Sequence, residues 1–147
     1  MSMAQEHKEL LLKDLSARLP YGVKLQKTYD TSEPAELYSI DLEHNTVKFY
    51  KYKGEALTIC DAGFIEKYGK LRFKPYLFPL SSMTEEQRKE YDSIIYHSVE
   101  LHYDRYYEVI DVDSFKELQD FYHINHLDYR GLIPMDLAID ATNLNVY

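Results

Sequence analysis

The side chains able to do chemistry fall in two regions. Toward the C-terminus, His97, His102, His123 and His126 lie near the carboxylates Glu100, Asp104 and Asp128. With residues 98–104 as a strand, Glu100, His102 and Asp104 share one face, and His123 with His126 can share a helix end. His102, Asp104, His123 and His126 are then candidate ligands of a mixed nitrogen and oxygen metal site, as a metal-dependent enzyme would use. A solvated strand face, with histidines favoured by the dipole at a helix C-terminus, is the simpler explanation. The segment Asp128-Tyr129-Arg130-Gly131 sets an aromatic ring and a guanidinium, Tyr129 and Arg130, beside a flexible bend that could clamp a carboxylate or phosphate. A structural turn, with Arg130 tethering the loop to an acid such as Asp128 or Asp104, accounts for the same residues.

The second region is the run of basic and aromatic residues through Lys48, Tyr50, Lys51, Tyr52, Lys67, Tyr68, Arg72, Phe73 and Tyr76. Rings on a bent sheet beside lysines stack single-stranded bases and neutralise their phosphates, which makes Lys48, Tyr50, Lys51, Tyr52, Arg72 and Tyr76 candidate nucleic-acid contacts. An ordinary exposed sheet face has the same alternation, and the lysines could equally pair with the acidic half of the molecule. Nucleophilic chemistry has little support: Cys60 ends an apolar run, and no serine sits in a GxSxG elbow. None of the five glycines stands in GxGxxG or Walker spacing, so no cofactor is expected and an enzyme is unsupported.

The elements that must position these residues follow from periodicity and punctuation. Leu11, Leu12, Leu15 and Leu19, widened by Leu10, predict an amphipathic helix over residues 6–19, ended by Pro20-Tyr21-Gly22. From Val23 the period becomes two. Strands are expected at residues 23–26, 38–42, 46–52, 56–60 and 71–74, with a loop at 29–34 and a hairpin turn at 43–45; residues 61–69 are ambiguous. Pro75 and Pro79 then force a hinge. Thr84 and Gln87 form a capping box that starts a helix at about Glu85. Its buried stripe is Tyr91, Ile94, Ile95 and Ser98 or Val99. Residues 98–112 fit strand slightly better than helix. Asp113 or Ser114, the latter with Glu117 as a second capping box, starts a helix whose face is Phe115, Leu118, Phe121 and Tyr122. A loop with a Gly131 bend and Pro134 closes the chain. The expected fold is α+β: one domain, residues 1–147, with an N-terminal helix on a small bent antiparallel sheet (1–74), then the hinge and a mainly helical, acidic half (75–147).

The net charge of -8 opposes generic duplex DNA binding, and it is unevenly spread. Residues 48–74 hold seven basic against three acidic side chains; residues 98–147 hold ten acidic against three basic. Fifteen tyrosines and no tryptophan favour interfaces, where tyrosine adds contact area at low entropy cost. The single cysteine fits a reducing compartment, and neither a spanning segment nor a secretory signal is expected, which together predict a cytoplasmic protein away from membranes.

Three phrases, LLLKDLSARLPYGVK (10–24), KPYLFPLSSMTEEQRKEY (74–91) and HLDYRGLIPMDLAID (126–140), resemble an uncharacterised family of small proteins from gut anaerobic bacteria and their phages. The family has no established activity, so no site residue carries over, and residues 28–68 lie outside the similarity. What the resemblance implies is context, an accessory protein of a phage or mobile element. The leading expectation is a noncatalytic interaction protein with a protein partner or a second copy of itself. Single-stranded nucleic-acid binding and a metal-dependent enzyme are the alternatives.

Overall fold

The computed structural model describes residues 5–27, 30–41, 43, 46–52, 55–57, 71, 73–101 and 112–147. The expectations for Cys60, residues 61–69, Arg72, His102 and Asp104 lie outside them.

Helix α1 (Gln5–Arg18) buries Leu11 and Leu15 completely and packs Leu10, Leu12 and Leu19 partly against the same core. It ends as its sequence demands: Leu19–Tyr21 tightens into a 3-10 turn, and Gly22 takes φ +71°, a conformation that costs a residue with a Cβ.

Strands β1 (Lys24–Lys27), β2 (Asp30–Asp41), β3 (Thr46–Tyr52), β4 (Glu55–Leu57) and β5 (Phe73–Leu77) follow, and a short β6 (Ile139–Asp140) completes a sheet of order β4-β3-β2-β1-β5-β6. The first five pair antiparallel; β6 joins β5 in parallel, through Tyr76 with Ile139 and Leu77 with Asp140. The class is therefore α+β as expected, with a parallel edge strand supplied by the far end of the chain. The buried face alternates along the strands through Val23, Leu25, Ala35, Leu37, Val47 and Phe49, and Phe49 meets Phe73 edge-on at 5.5 Å.

Two strands differ from expectation. Residues 30–34, rich in turn formers, belong to β2. Opposite Leu25 stands Ala35 and opposite Lys27 stands Asp30, so Gln26 alone faces residues 31–34. The missing N–H of Pro34 falls in that irregular stretch, where no regular ladder bond is lost. Pro75 likewise sits inside β5, opposite Leu25, and the pairing with β6 begins only at Tyr76. The hinge therefore begins later, at Pro79 after the Phe78–Leu127 bridge, and continues through a 3-10 turn at Leu80–Ser82.

Helix α2 (Glu85–Leu101) starts on the expected capping box: the Thr84 N–H donates to Gln87 Oε1 at 2.9 Å, and the Gln87 N–H donates to Thr84 Oγ1 at 3.1 Å. It runs through residues 98–101, which corrects the strand favoured there. Four residues alternating in polarity fit either period, and the continuous backbone ladder decides for helix. Helix α3 (Val112–Ile124) begins before Asp113 and Ser114, so these lie in its first turn rather than at its cap, where Asp113 still complements the dipole. Tyr91 meets Phe121 and Tyr122, and Gln87 Nε2 donates to Asn125 Oδ1 at 3.1 Å, which sets α2 and α3 antiparallel.

After α3 the chain is not a loose loop. The Leu127 N–H donates to Tyr122 O at 2.9 Å and the His126 N–H to His123 O at 3.2 Å, a Schellman close with His126 in the left-handed region at φ 54°. Leu127, Leu132, Leu137, Ala138 and Ala141 are all buried. Asp128 holds the bend at Gly131 by accepting from the Leu132 N–H at 2.8 Å and the Ile133 N–H at 2.9 Å. Because the Thr84 hydroxyl caps a first-turn amide of α2, Thr84→Ala should lower stability by about 1 kcal/mol in urea unfolding. Its far-UV spectrum at low denaturant should be unchanged.

Candidate functional site

Arg18, at the last position of α1, is fully buried, and so is Asp14 one turn before it. Arg18 Nε donates to Asp14 Oδ2 at 2.8 Å, and Arg18 Nη2 donates to the Leu127 carbonyl at 2.6 Å, 109 residues away. Asp14 Oδ1 accepts a second guanidinium bond, from Arg130 Nε at 3.2 Å. The Tyr129 ring lies near both arginines, its centroid 5.2 Å from the Arg18 guanidinium carbon and 4.9 Å from that of Arg130. One carboxylate thus serves two guanidinium groups. Such a charge arrangement survives burial only because hydrogen bonds and ring faces replace water around it.

Around this cluster the aromatic side chains interlock. Tyr129 Oη and His123 Nε2 are hydrogen-bonded at 2.8 Å, and the Tyr129 ring stacks on Tyr122 at 4.8 Å and 15°. His123 is buried against Tyr21, whose hydroxyl donates to Asp120 at 2.7 Å. Burial, and then the nearby Arg18, push the His123 pKa down. His126 lies flat on Tyr147 at 3.7 Å and is pushed down to about 4, first by burial and then by Arg18 and Lys24. The Tyr147 hydroxyl in turn accepts from the Lys24 N–H at 2.9 Å and donates to the Tyr76 carbonyl at 2.8 Å, which pins the last residue between β1 and β5. Two buried nitrogens, Arg18 Nη1 and His126 Nδ1, find no hydrogen-bond partner among the described residues.

Tyr122 also lines an open cavity of about 240 Å3, together with Leu80, Ser81, Met83, Arg88 and Tyr91. Burial, and then the influence of Tyr91, push the Tyr122 phenol up to about 12, so it stays protonated at neutral pH.

The residues singled out in the sequence are placed as follows. Tyr129 and Arg130 come together, with their polar groups engaged inside the protein by His123 and Asp14. Among the described residues the acid that holds Arg130 is Asp14, and the Asp128 carboxylate is taken by the Leu132 and Ile133 N–H groups. His123 and His126 flank the Schellman turn but face different rings, Tyr129 and Tyr147. Among the described residues no three metal-ligating side chains converge. Lys48 is half-buried on β3, between the buried Val47 and Phe49, and of Tyr50, Lys51 and Tyr52 the backbone lies in the same strand. Tyr76 is 6% exposed and lies in the core, where no base can stack on it. Asp14 and Arg18 were not anticipated. Their one signal is position, since Asp14 follows Leu11 by three and Arg18 follows Leu15 by three, on the leucine stripe itself.

The depressed pKa of His126 gives a pH test. The unfolded chain binds a proton on this histidine below about pH 6.5 and the folded protein only near pH 4, so its contribution is full above 6.5 and is lost as pH falls through that window. Discounted for the partial exposure of the ring, the loss should be about 1–2 kcal/mol between pH 7 and pH 4. Unfolding of His126→Asn, which suits the left-handed backbone, should show a shallower pH dependence over the same range. The chain matches no protein-family model, no curated protein and no solved structure, so its own residues carry the functional reading.

Proposed function

We propose that the protein is a noncatalytic interaction protein that docks the outer surface of its α2–α3 arm on a basic surface of a partner protein. The observation that carries this is how little of the arm is covered. None of the residues Glu85 to Tyr96 of α2 is fully buried: Tyr91, against Phe121 and Tyr122 of α3, and Ile94 and Ile95 are half-buried at most. Tyr96 is 70% exposed, Phe115 51% and Ile124 61%. Large side chains left open on a helix pair are typical of surfaces that close on a partner.

Charge supports the partner's sign. Over residues 85–96 and 113–124 there are seven acidic side chains against Arg88, Lys89 and Lys116, a net of -4. An acidic arm is steered to a basic surface, which a nucleic-acid-binding protein presents by necessity. The accessory role in a phage or mobile element implied by the sequence resemblance belongs to this proposal. Arg18 and His123 engage Asp14, the Leu127 carbonyl and Tyr129, which favours a structural over a catalytic role for these two side chains. No helix among the described residues is long and apolar enough to cross a membrane.

The proposal predicts that a partner captured through this protein binds it with an affinity falling about tenfold or more between about 0.05 and 0.5 M salt. Tyr96→Ala with Phe115→Ala should weaken binding by about 2 kcal/mol or more while the thermal midpoint changes little. Titration calorimetry with the purified pair checks both. Salt-independent binding that the double variant retains would overturn the proposal. Tight binding of short single-stranded DNA or RNA, lost on Tyr50→Ala with Tyr52→Ala, would replace it with the nucleic-acid alternative.

A further inference from the structure

The cavity between the 3-10 turn, α2 and α3 has the composition of a ligand site rather than a packing gap. It is lined by two tyrosines, Tyr91 and Tyr122, with Leu80 and Met83, and by Ser81 and Arg88, residues that carry a hydroxyl and a guanidinium. Arg88 is exposed and makes no ion pair among the described residues, in contrast to Lys89 beside it, which reaches Glu85 at 3.7 Å. The back wall is rigid. Tyr122 stacks on Tyr129, which the two arginines and His123 hold in place. The capping box and the Gln87–Asn125 bond fix the start of α2, and with it the Arg88 backbone, against the end of α3.

We infer that this cavity binds a carboxylate carried on a single aromatic body, with the ring against Tyr91 and Tyr122 and the carboxylate on Arg88. The volume, about 240 Å3, is below the 300–1,000 Å3 usual for drug-sized ligands and suits one ring with a short stem. A guanidinium selects carboxylate by two parallel N–H bonds, and the tyrosine faces favour an aromatic over an aliphatic body. Ser81 adds a hydroxyl able to donate to the same carboxylate. The chemistry is shared by a free aromatic acid and by the C-terminal aromatic residue of a peptide. The site lies at the hinge end of α2, away from Tyr96, so it does not depend on the docking surface proposed for the arm.

The test is a titration of the 15N-labelled protein with N-acetyl-L-phenylalanine and with its neutral amide, followed by amide chemical shifts. Saturable shifts are expected around Leu80–Ser82, Arg88 and Tyr122, with the amide binding about tenfold more weakly or worse. Arg88→Gln should remove the preference for the acid while leaving the thermal midpoint unchanged, since Arg88 has no ion-pair partner among the described residues to lose. Serine-glycine-phenylalanine binding tenfold tighter than N-acetyl-L-phenylalanine would assign the site to peptide C-termini, and equal or weaker binding to free aromatic acids. No saturable shift up to the solubility limit, equal binding of acid and amide, or an unchanged preference in Arg88→Gln would overturn the inference.

Discussion

The fold depends on one buried guanidinium. Arg18 joins the end of the first helix to a backbone carbonyl near the end of the chain, through Asp14 on one side and Leu127 O on the other. An arginine with no exposed surface is costly, and it is tolerated only because Asp14, the Leu127 carbonyl and the Tyr129 ring each replace part of its hydration. Everything C-terminal to α3 is organised by that requirement. Leu127 must stand where its carbonyl meets Arg18, which fits the Schellman turn that carries His126 in the left-handed position.

The same tie explains why the C-terminal segment can act as part of the sheet. Once Leu127 is placed, it bridges Phe78 in parallel, Asp128 closes the next bend, and residues 137–141 return along β5. Tyr147 then locks the end against β1 and β5. The chain's two halves therefore share one core, with Leu11 and Leu15 of α1 in the same buried cluster as Leu132 and Leu137. By contrast α2 takes little part in that core. Its loose coverage and its acidity are what the proposed partner contact would use, while its first turn is held by the Thr84–Gln87 box and the Gln87–Asn125 bond beside the cavity.

Local signals in the sequence were legible where local chemistry decides. The leucine spacing of α1, the Pro20-Tyr21-Gly22 stop, the hairpin between β2 and β3 and the Thr84–Gln87 box each depend on neighbours a few residues apart, and each is present. What sequence could not show is long-range. Asp14 and Arg18 look like solvated charges on an amphipathic helix, since ionised residues are rarely buried, and only the distant carbonyl of Leu127 makes their burial affordable. Pro75 argues against a strand interior until the two-residue length of β6 is known. Tyr76, read as an exposed ring in a basic and aromatic run, lies instead in the core beside Tyr147. The cavity near Arg88 has no sequence signature, because it joins residues from the hinge and both C-terminal helices.

The measurement that tests this account most directly is native-state hydrogen exchange of wild type and Arg18→Met. If the buried guanidinium fastens the C-terminal segment to α1, the amides of Leu127, Asp128, Leu132 and Ala141 should lose about tenfold or more of their protection. Those paired between β2 and β3 should lose far less. Unchanged protection at Leu127 and Leu132, or an equal loss in the β2–β3 hairpin, would contradict the claim that Arg18 is the tie on which the rest depends.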